Sequence, residues 1–267
     1  MLRAISILIL TAVLACASTA HKGPKPIPGS VEALYQEAQK DQKDGLYPEA
    51  LNGFADVKNK FPYSKYAALA DLGTADTHFE RAKYLEAVDA YRNFLKFYPN
   101  HPQGAYATLR IAEAYAKQIP EDWWFLPPSA EKDQANTRLA ISAYQDMLAR
   151  YPEGKLAERA TKGLAAARTK LADHELYVAN FYFERKKHKA AALRAEELLN
   201  TYPGLGHDAA ALWIAGKSRL ALGEAAAARV AFERLNKEFP KAPKSAEARK
   251  ILRTLGSPPA PPESSGT

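Results

Sequence analysis

A dipeptide of an aromatic residue followed by proline recurs five times along the chain, and this recurrence constrains the fold most. The prolines stand at positions 62, 99, 152, 203 and 240, so the intervals between them are 37, 53, 51 and 37 residues. Proline cannot continue a helix and disfavours helical backbone at the preceding residue. The spacing therefore predicts repeated helical units that end at each dipeptide, two of them with insertions.

The shorter interval is typical of a helix-turn-helix repeat of the tetratricopeptide kind, which has a period of about 34 residues and closes with proline. When each proline is placed at repeat position 32, small residues recur at positions 8 and 20, and an aromatic residue recurs at position 24 in most frames. The first frame starts at Val31 and places Ala38, Ala50 and Phe54 there. Small residues let two helices cross closely, and the aromatic side chain fills the groove beside them.

No alternating strand pattern is visible in the sequence, so the predicted fold is all-α. We expect an α-solenoid of about five repeats, with repeats one and two in 30–102. The third repeat, in 103–154, is predicted to be split by an inserted loop at 119–136. Apolar residues then keep helical spacing from Lys155 to Glu184, which predicts one long bridging helix of roughly 30 residues. Repeats four and five and a polar capping helix complete the segment 155–255.

Residues 1–15 have the form of a secretory signal peptide, with one basic residue and a twelve-residue apolar run. That run is too short to span a bilayer, which needs about 20 residues. The segment Val13-Leu14-Ala15-Cys16 is similar to the lipobox of bacterial lipoproteins, and Cys16 is the only cysteine in the chain. We therefore expect acylation of Cys16 and a membrane anchor through the N-terminal lipid. The alternative is ordinary secretion with a free thiol.

The regions that flank the repeats are rich in proline. Residues 16–29 are predicted to form an extended tether, and residues 256–267 a disordered tail. Ala17 follows the cysteine, where aspartate would resemble an inner-membrane retention signal, so the outer membrane is favoured. The formal net charge is +7, but basic and acidic residues alternate along the helices. No binding of nucleic acid is expected from this pattern.

Sequence motifs for catalysis are missing. The chain has no glycine-rich phosphate loop, no H-E-x-x-H, no nucleophile elbow and no pair of cysteines. Its six histidines are not spaced as a ligand cage, so neither a metal nor a cofactor is expected. The sequence favours a binding scaffold that is not an enzyme.

The lipobox-like segment, the five repeats, the split third repeat and the long helix together resemble the BamD family. These are lipoproteins of the β-barrel assembly machinery of the outer membrane. The resemblance runs from Cys16 to about Leu255 and is most specific in 61–67, 150–152 and 175–194. The last stretch ends in Ala191-Ala192-Leu193-Arg194, which matches the family's A-A-x-x-R.

The resemblance implies a lipid-anchored protein on the periplasmic face of the outer membrane. Its C-terminal repeats would dock on the barrel-inserting subunit, beside other assembly lipoproteins. Its N-terminal repeats would contact the C-terminal segments of unfolded outer-membrane proteins. The candidate partner-binding residues are Arg194, Arg185 and Tyr182. For Arg194 the alternative to a partner carboxylate is a solvated side chain or a pair with Glu197.

Repeat arrays present residues near positions 2, 5, 9, 12 and 13 of each first helix on the concave face. In repeats one and two these candidate groove residues include Tyr35, Gln39, Lys43, Leu72, Asp76 and Phe79. In a groove for an aromatic-ended peptide, Lys43 would meet the terminal carboxylate, and Tyr35 or Phe79 would stack on the aromatic residue. The alternative is packing between adjacent first helices, with a solvated lysine.

Two further questions stay open in the sequence. The loop aromatics Trp123, Trp124 and Phe125 either anchor a partner or lipid headgroups, or fold back as a plug over the concave face. A different function is also compatible with the repeats, that of another envelope repeat lipoprotein which coordinates cell-wall synthesis with division. The third functional class is an enzyme partner or regulator that carries no lipid.

Overall fold

The computed structural model describes residues 27–122, Trp124 and residues 128–255. In these residues the chain forms eleven α-helices, a 3₁₀ turn at Ser129–Glu131, and no strand, which confirms the all-α prediction. The helices are α1 Val31–Lys43, α2 Tyr47–Lys60, α3 Lys65–Glu80, α4 Tyr84–Phe97, α5 Gly104–Ala116, α6 Ala135–Arg150, α7 Lys155–Glu184, α8 His188–Thr201, α9 Asp208–Ala221, α10 Ala225–Glu238 and α11 Ser245–Thr254. None of these helices is both long and apolar enough to cross a membrane. The predicted signal peptide, Cys16, most of the tether and the tail lie outside the described residues.

The helices pair into five repeats, because all connections except the insertion are only three to six residues long and neighbouring helices pack together. The pairs are α1 with α2, α3 with α4, α5 with α6, the C-terminal part of α7 with α8, and α9 with α10. Helix α11 covers the last pair. The aromatic residue of each aromatic-proline dipeptide stands directly after the second helix of its pair, with a non-helical φ between −128° and −137°.

The turn inside a repeat uses the same backbone conformation in four repeats. Position 15 has a positive φ of 78° at Gly45, 57° at Ala82, 56° at Lys186 and 79° at Gly223. Glycine adopts this left-handed region readily, whereas an L-residue with a Cβ loses about 1–2 kcal/mol there. The turns of repeats two and four are therefore formed against a local conformational cost.

Aromatic residues at position 24 pack directly on glycines. In repeat five the glycine is the small residue predicted at position 8, because a Cβ on Gly216 would lie 2.6 Å from the ring of Phe232. In two other places the glycine lies outside the predicted positions. A Cβ on Gly73 would lie 2.5 Å from the ring of Phe54, and a Cβ on Gly163 would lie 2.3 Å from the ring of Tyr144. Phe54 is fully buried and Tyr144 nearly so. The helices approach more closely at these points than an alanine would allow.

Helix α7 has 30 residues and belongs to both halves of the molecule, which confirms the predicted bridging helix. Its Ala160 and Ala167 are buried in the core of repeats two and three, and its Ala179 is buried in the core of repeats four and five. One continuous helix therefore fixes the orientation of the two cores relative to each other.

The segment between α5 and α6 is fastened to α7. The Asp122 carboxylate accepts a hydrogen bond from Lys170 at 2.9 Å and another from the backbone N–H of Ser129 at 2.7 Å. His174 Nδ1 lies 2.6 Å from the carbonyl oxygen of Ala130. These contacts hold the described part of the insertion against the middle of the bridging helix.

Candidate functional site

A cluster of polar side chains lies between the first helices of repeats two and three, on the face predicted to be concave. Its centre is Asp76 of α3, whose carboxylate accepts hydrogen bonds from the hydroxyls of Tyr91 and Tyr106, the latter at 2.8 Å. Arg110 of α5 places its Nε 3.8 Å from the same carboxylate oxygen. The Asp76 and Arg110 side chains are 21 % and 13 % exposed, so the pair is largely removed from water.

Arg110 extends this cluster to the bridging helix. Its Nη1 donates to Glu113 at 3.3 Å, and Glu113 pairs with Arg159 of α7 at 2.6 Å. The guanidinium carbon of Arg110 also lies 3.5 Å from the centroid of the Phe79 ring, within cation–π distance. Phe79, Arg110, Glu113 and Arg159 line an open groove of about 400 Å³. The negative charges of Asp76 and Glu113 are thus balanced by the positive charges of Arg110 and Arg159.

The electrostatics of the cluster follow from its burial. Burial raises the pKa of the Asp76 carboxyl above its ordinary value, and the hydrogen bonds from Tyr91 and Tyr106 and the charge of Arg110 offset this only in part. Burial, followed by the charge of Asp76, also raises the pKa of Tyr91. Tyr91 therefore acts as a hydrogen-bond donor throughout the physiological pH range.

The structure brings some of the predicted groove residues together. Tyr35 packs its ring on Phe54 and Tyr66, with centroid distances of 5.8 and 5.3 Å, and its hydroxyl accepts from Gln39 at 2.9 Å. Burial, then the charge of Asp76, raises the pKa of Tyr35. These contacts match the packing alternative. The groove role of Tyr35, Gln39 and Asp76 stays a prediction.

The side chains of Lys43 and Phe79 differ in how accessible they are to a bound peptide. Lys43 is exposed at the end of α1 and has no ion-pair partner among the residues that the structure covers. One face of Phe79 is covered by Arg110 and its edge contacts Tyr84, with a centroid distance of 5.3 Å. Stacking of a peptide on Phe79 would have to use the remaining surface of the ring or displace Arg110.

The residues that repeat three contributes to this cluster were not predicted from the sequence. Tyr106 and Glu113 occupy positions 2 and 9 of the frame that starts at Ala105, so the positional pattern used for repeats one and two could have found them. Arg110 lies at position 6, outside that pattern. The position pattern of a single repeat does not show that this side chain stacks on Phe79 of the preceding repeat.

On the C-terminal half, Arg194 of α8 connects two helices. Its Nη1 lies 3.4 Å from a carboxylate oxygen of Glu175 on α7 and 3.4 Å from one of Glu197 on α8. The expected alternative pair with Glu197 is therefore present. The Arg194 side chain is still 44 % exposed, whereas that of Glu175 is 12 % exposed.

The other two candidate partner-binding residues lie near the turn between α7 and α8. Arg185 places its guanidinium carbon 3.5 Å from the centroid of the Phe181 ring, and the ring of Tyr182 meets Phe181 edge to face at 5.5 Å. Tyr182 also packs against the C-terminal core. Arg185 and Phe181 form the exposed part of this surface, and the partner-binding role of Arg194, Arg185 and Tyr182 stays a prediction.

Other expectations concern the insertion and metals. The side chain of Trp124 is 95 % exposed, so this ring does not plug the concave face. Trp123 and Phe125 lie outside the described residues. Within the part of the chain that the structure describes, no three His, Cys, Asp or Glu side chains are grouped to hold a metal ion.

Residues 29–235, most of the repeat region, match the family model described as YfiO, outer membrane lipoprotein. The chain belongs to the YfiO family. Its relatives in this family include three outer membrane protein assembly factors named BamD. The protein of Neisseria meningitidis serogroup A is 26 % identical and covers 80 % of this chain and 81 % of its own. The protein of Caulobacter vibrioides is 27 % identical, and the match covers 82 % of this chain and 69 % of that protein. The protein of Rickettsia prowazekii is 25 % identical, and the match covers 82 % of this chain and 84 % of that protein.

These relatives confirm the resemblance to the BamD family. Among solved structures, the TPR2AB domain of yeast Sti1 is similar to this YfiO-family chain, with 14 % identity and a TM-score of 0.43. It covers 84 % of each chain.

Proposed function

We propose that this chain is a lipid-anchored scaffold of the machinery that assembles β-barrel proteins into the outer membrane. The observation that carries the proposal is membership of the YfiO family together with relatives named as outer membrane protein assembly factors over about four-fifths of the chain. A solenoid of helical pairs offers a long surface of side chains and is suited to hold several partners at once. The role is binding and not catalysis.

The C-terminal repeats dock on the barrel-inserting subunit, with companion assembly lipoproteins nearby. Arg194 supports this assignment, because an arginine that is 44 % exposed between two carboxylates is held in position and still has donors available. A carboxylate of the partner would join this charge cluster and compete with Glu197, whose own side chain is 59 % exposed. Arg185 and Tyr182 border the same helical pair and extend the surface.

The N-terminal repeats receive the C-terminal segments of unfolded outer-membrane proteins. Lys43 is exposed at the end of α1 and offers a cation to a terminal carboxylate on the predicted groove. The groove of about 400 Å³ beside Phe79 and Arg110 offers an aromatic edge and a guanidinium to an aromatic side chain. A fluorescent peptide with a C-terminal phenylalanine tests this binding. The same peptide with an amidated C-terminus is the control, and equal affinities would exclude a role for Lys43.

The anchor is the lipid on Cys16, which holds the repeats on the periplasmic face of the outer membrane. Several acyl chains, each contributing about 0.8 kcal/mol per buried CH₂, keep a protein on a bilayer stably. Metabolic labelling with a palmitate analogue should mark the wild-type chain and leave Cys16→Ala unlabelled and soluble in the periplasm. Membrane recovery of Cys16→Ala equal to that of the wild type would contradict the anchor.

Affinity purification from detergent-solubilised envelopes, with a tag at the C-terminus and partners identified by mass spectrometry, tests the function. We expect a dominant outer-membrane barrel with periplasmic domains. Recovery of a cell-wall synthase in its place would favour the alternative of a lipoprotein that coordinates cell-wall synthesis with division. The variant Arg194→Glu should reduce recovery of the barrel protein, whereas Glu197→Gln, which removes the competing carboxylate, should maintain or raise it.

A further inference from the structure

One edge of the N-terminal repeats collects the ends of four helices. Helix α1 begins at Val31, α2 ends at Lys60, α3 begins at Lys65 and α4 ends at Phe97. Because the short connections make successive helices antiparallel, and α1 also packs on α3, these four ends lie on the same side of the solenoid. We call this side the proline edge, since its two turns contain the first two aromatic-proline dipeptides.

Large apolar side chains protrude from the proline edge. Tyr63, in the turn between α2 and α3, is completely exposed, Phe97 at the end of α4 is 67 % exposed, and Ile27 before α1 is 77 % exposed. The aromatic residues inside the same repeats behave differently, since Phe54 and Tyr91 are fully buried. The protruding rings therefore contribute nothing to the core, although their exposure to water is unfavourable.

Two lysines stand at the same helix ends as these rings. Lys96 Nζ lies 5.9 Å from the ring of Phe97. Lys65 follows Tyr63 by two residues at the start of α3, and its Nζ lies 5.2 Å from the partly buried ring of Tyr66. Neither lysine has an ion-pair partner among the described residues. Lys60 pairs at 2.6 Å with Asp56 on the solvent-facing side of α2. The proline edge thus combines exposed rings with two lysines, Lys65 and Lys96, that form no ion pair in the described chain, while Glu32 at the start of α1 is the acidic residue nearest the helix ends.

We propose that the proline edge rests on the surface of an anionic bilayer, with Tyr63 and Phe97 in the interfacial zone and the lysines at the phosphates. Aromatic side chains favour this zone, and each lysine near an anionic surface contributes about 1 kcal/mol. A protein partner would need pockets shaped for the two rings. A bilayer interface accepts any ring that protrudes.

The course of the chain agrees with this orientation. The described chain begins at Ile27 on the proline edge, so the segment that leads to Cys16 approaches from this side. Position 27 lies eleven residues after position 16, a stretch that spans at most about 40 Å when extended. The contact goes beyond the lipid anchor, because the folded repeats themselves touch the membrane and their concave face is held at a fixed angle to it.

The test uses residues 17–267, which lack the leader and the acylated cysteine and retain every described helix. Binding is measured by co-sedimentation with phosphatidylcholine vesicles that contain about one-third phosphatidylglycerol, and with vesicles of pure phosphatidylcholine. We expect half of the protein to bind at roughly millimolar anionic lipid, and much less binding to the neutral vesicles. No binding to the anionic vesicles would overturn the proposal.

Variants locate the contact. Tyr63→Ser with Phe97→Ser should weaken binding at least about tenfold, and Lys65→Gln with Lys96→Gln should remove most of the preference for anionic lipid. Leu85→Ser and Trp124→Ser, which change exposed side chains away from the proline edge, are the controls. If Trp124→Ser abolished binding and the double serine variant did not, the inserted loop would be the membrane contact and the proposal would be wrong.

This test is independent of the proposed assembly function. Affinity purification in detergent contains no bilayer, so Tyr63→Ser with Phe97→Ser should leave the recovery of partners unchanged there. Circular dichroism of each variant checks that the helices are intact, since the substituted side chains are exposed and carry no core contacts.

Discussion

The guanidinium carbon of Arg110 lies 3.5 Å from the centroid of the Phe79 ring, so the first helices of repeats two and three are joined by a stacked cation. The same arginine faces Asp76 and Glu113 and is only 13 % exposed. An arginine that stacks and pairs at once determines how the second repeat sits on the third. The groove proposed for substrate therefore has a preformed shape.

Replacing Arg110 should loosen this junction. Arg110→Ala leaves two partly buried carboxylates with one cation fewer and exposes one face of Phe79, so we expect a loss of about 3 kcal/mol in the free energy of unfolding. Arg110→Lys keeps the charge without the planar stacking and should recover only part of the loss. Urea denaturation followed by circular dichroism measures both. Arg253→Ala removes an exposed arginine of α11, far from this junction, as the control, and an equal loss there would contradict the role of the junction.

Ala82→Gly should stabilise the protein. Ala82 has a φ of 57° in a turn where repeats one and five use glycine, and relief of this conformation is worth about 1 kcal/mol. The greater freedom of glycine in the unfolded chain offsets part of that gain. Thermal melting should show a small rise in the midpoint. Ala90→Gly, in the middle of α4, should lower it, since glycine costs about 1 kcal/mol inside a helix.

Gly163→Ala should destabilise the protein although it raises helix propensity. The propensity gain on α7 is about 1 kcal/mol, whereas a Cβ at 2.3 Å from the Tyr144 ring forces the helices apart at a cost of about 1–3 kcal/mol. We expect the steric cost to exceed the gain in helix propensity, so the melting midpoint should fall. Lys162→Ala, at an exposed position on the same helix, should leave the midpoint nearly unchanged. A midpoint that rose for Gly163→Ala would show that Tyr144 moves aside freely.

Stability should fall as the pH drops below the ordinary pKa of histidine, in part because of His78. Burial lowers the pKa of His78 below 6.5, with Glu86 opposing this shift and Arg81 adding to it. The unfolded chain then takes up the proton first, so the contribution of His78 is complete above pH 6.5 and is lost towards the lower folded pKa. His78→Gln should flatten the dependence of the melting midpoint between pH 7 and 5. Glu86→Gln should make it steeper, and a curve unchanged by both variants would rule out His78 as a cause.

The repeats could be predicted from the sequence because each signal is local. The aromatic-proline dipeptides mark the helix ends, and the small residues at fixed positions mark the crossings, as Phe232 against Gly216 shows. The bridging helix was found for the same reason, since its apolar spacing is continuous from Lys155 to Glu184.

Contacts between repeats could not be predicted in this way. The stacking of Arg110 on Phe79 depends on the twist from one repeat to the next, which no single repeat encodes. The docking of the insertion is a similar case, because Asp122 meets Lys170 across 48 positions of sequence without a periodic pattern. At the candidate sites the sequence therefore suggested residue types and faces, and the structure supplied their partners.

The central claim, that this chain serves the assembly of outer-membrane barrels, is tested most directly by depleting it in its own cells. The amount of folded barrel protein in the envelope is then measured from the shift that boiling causes in gel mobility. Cell-wall synthesis is followed in parallel by incorporation of labelled precursor. We predict that folded barrels decline before cell-wall synthesis changes, and that wild-type protein restores them while Arg194→Glu does not. Normal amounts of folded barrels with an early defect in cell-wall synthesis would contradict the proposed function.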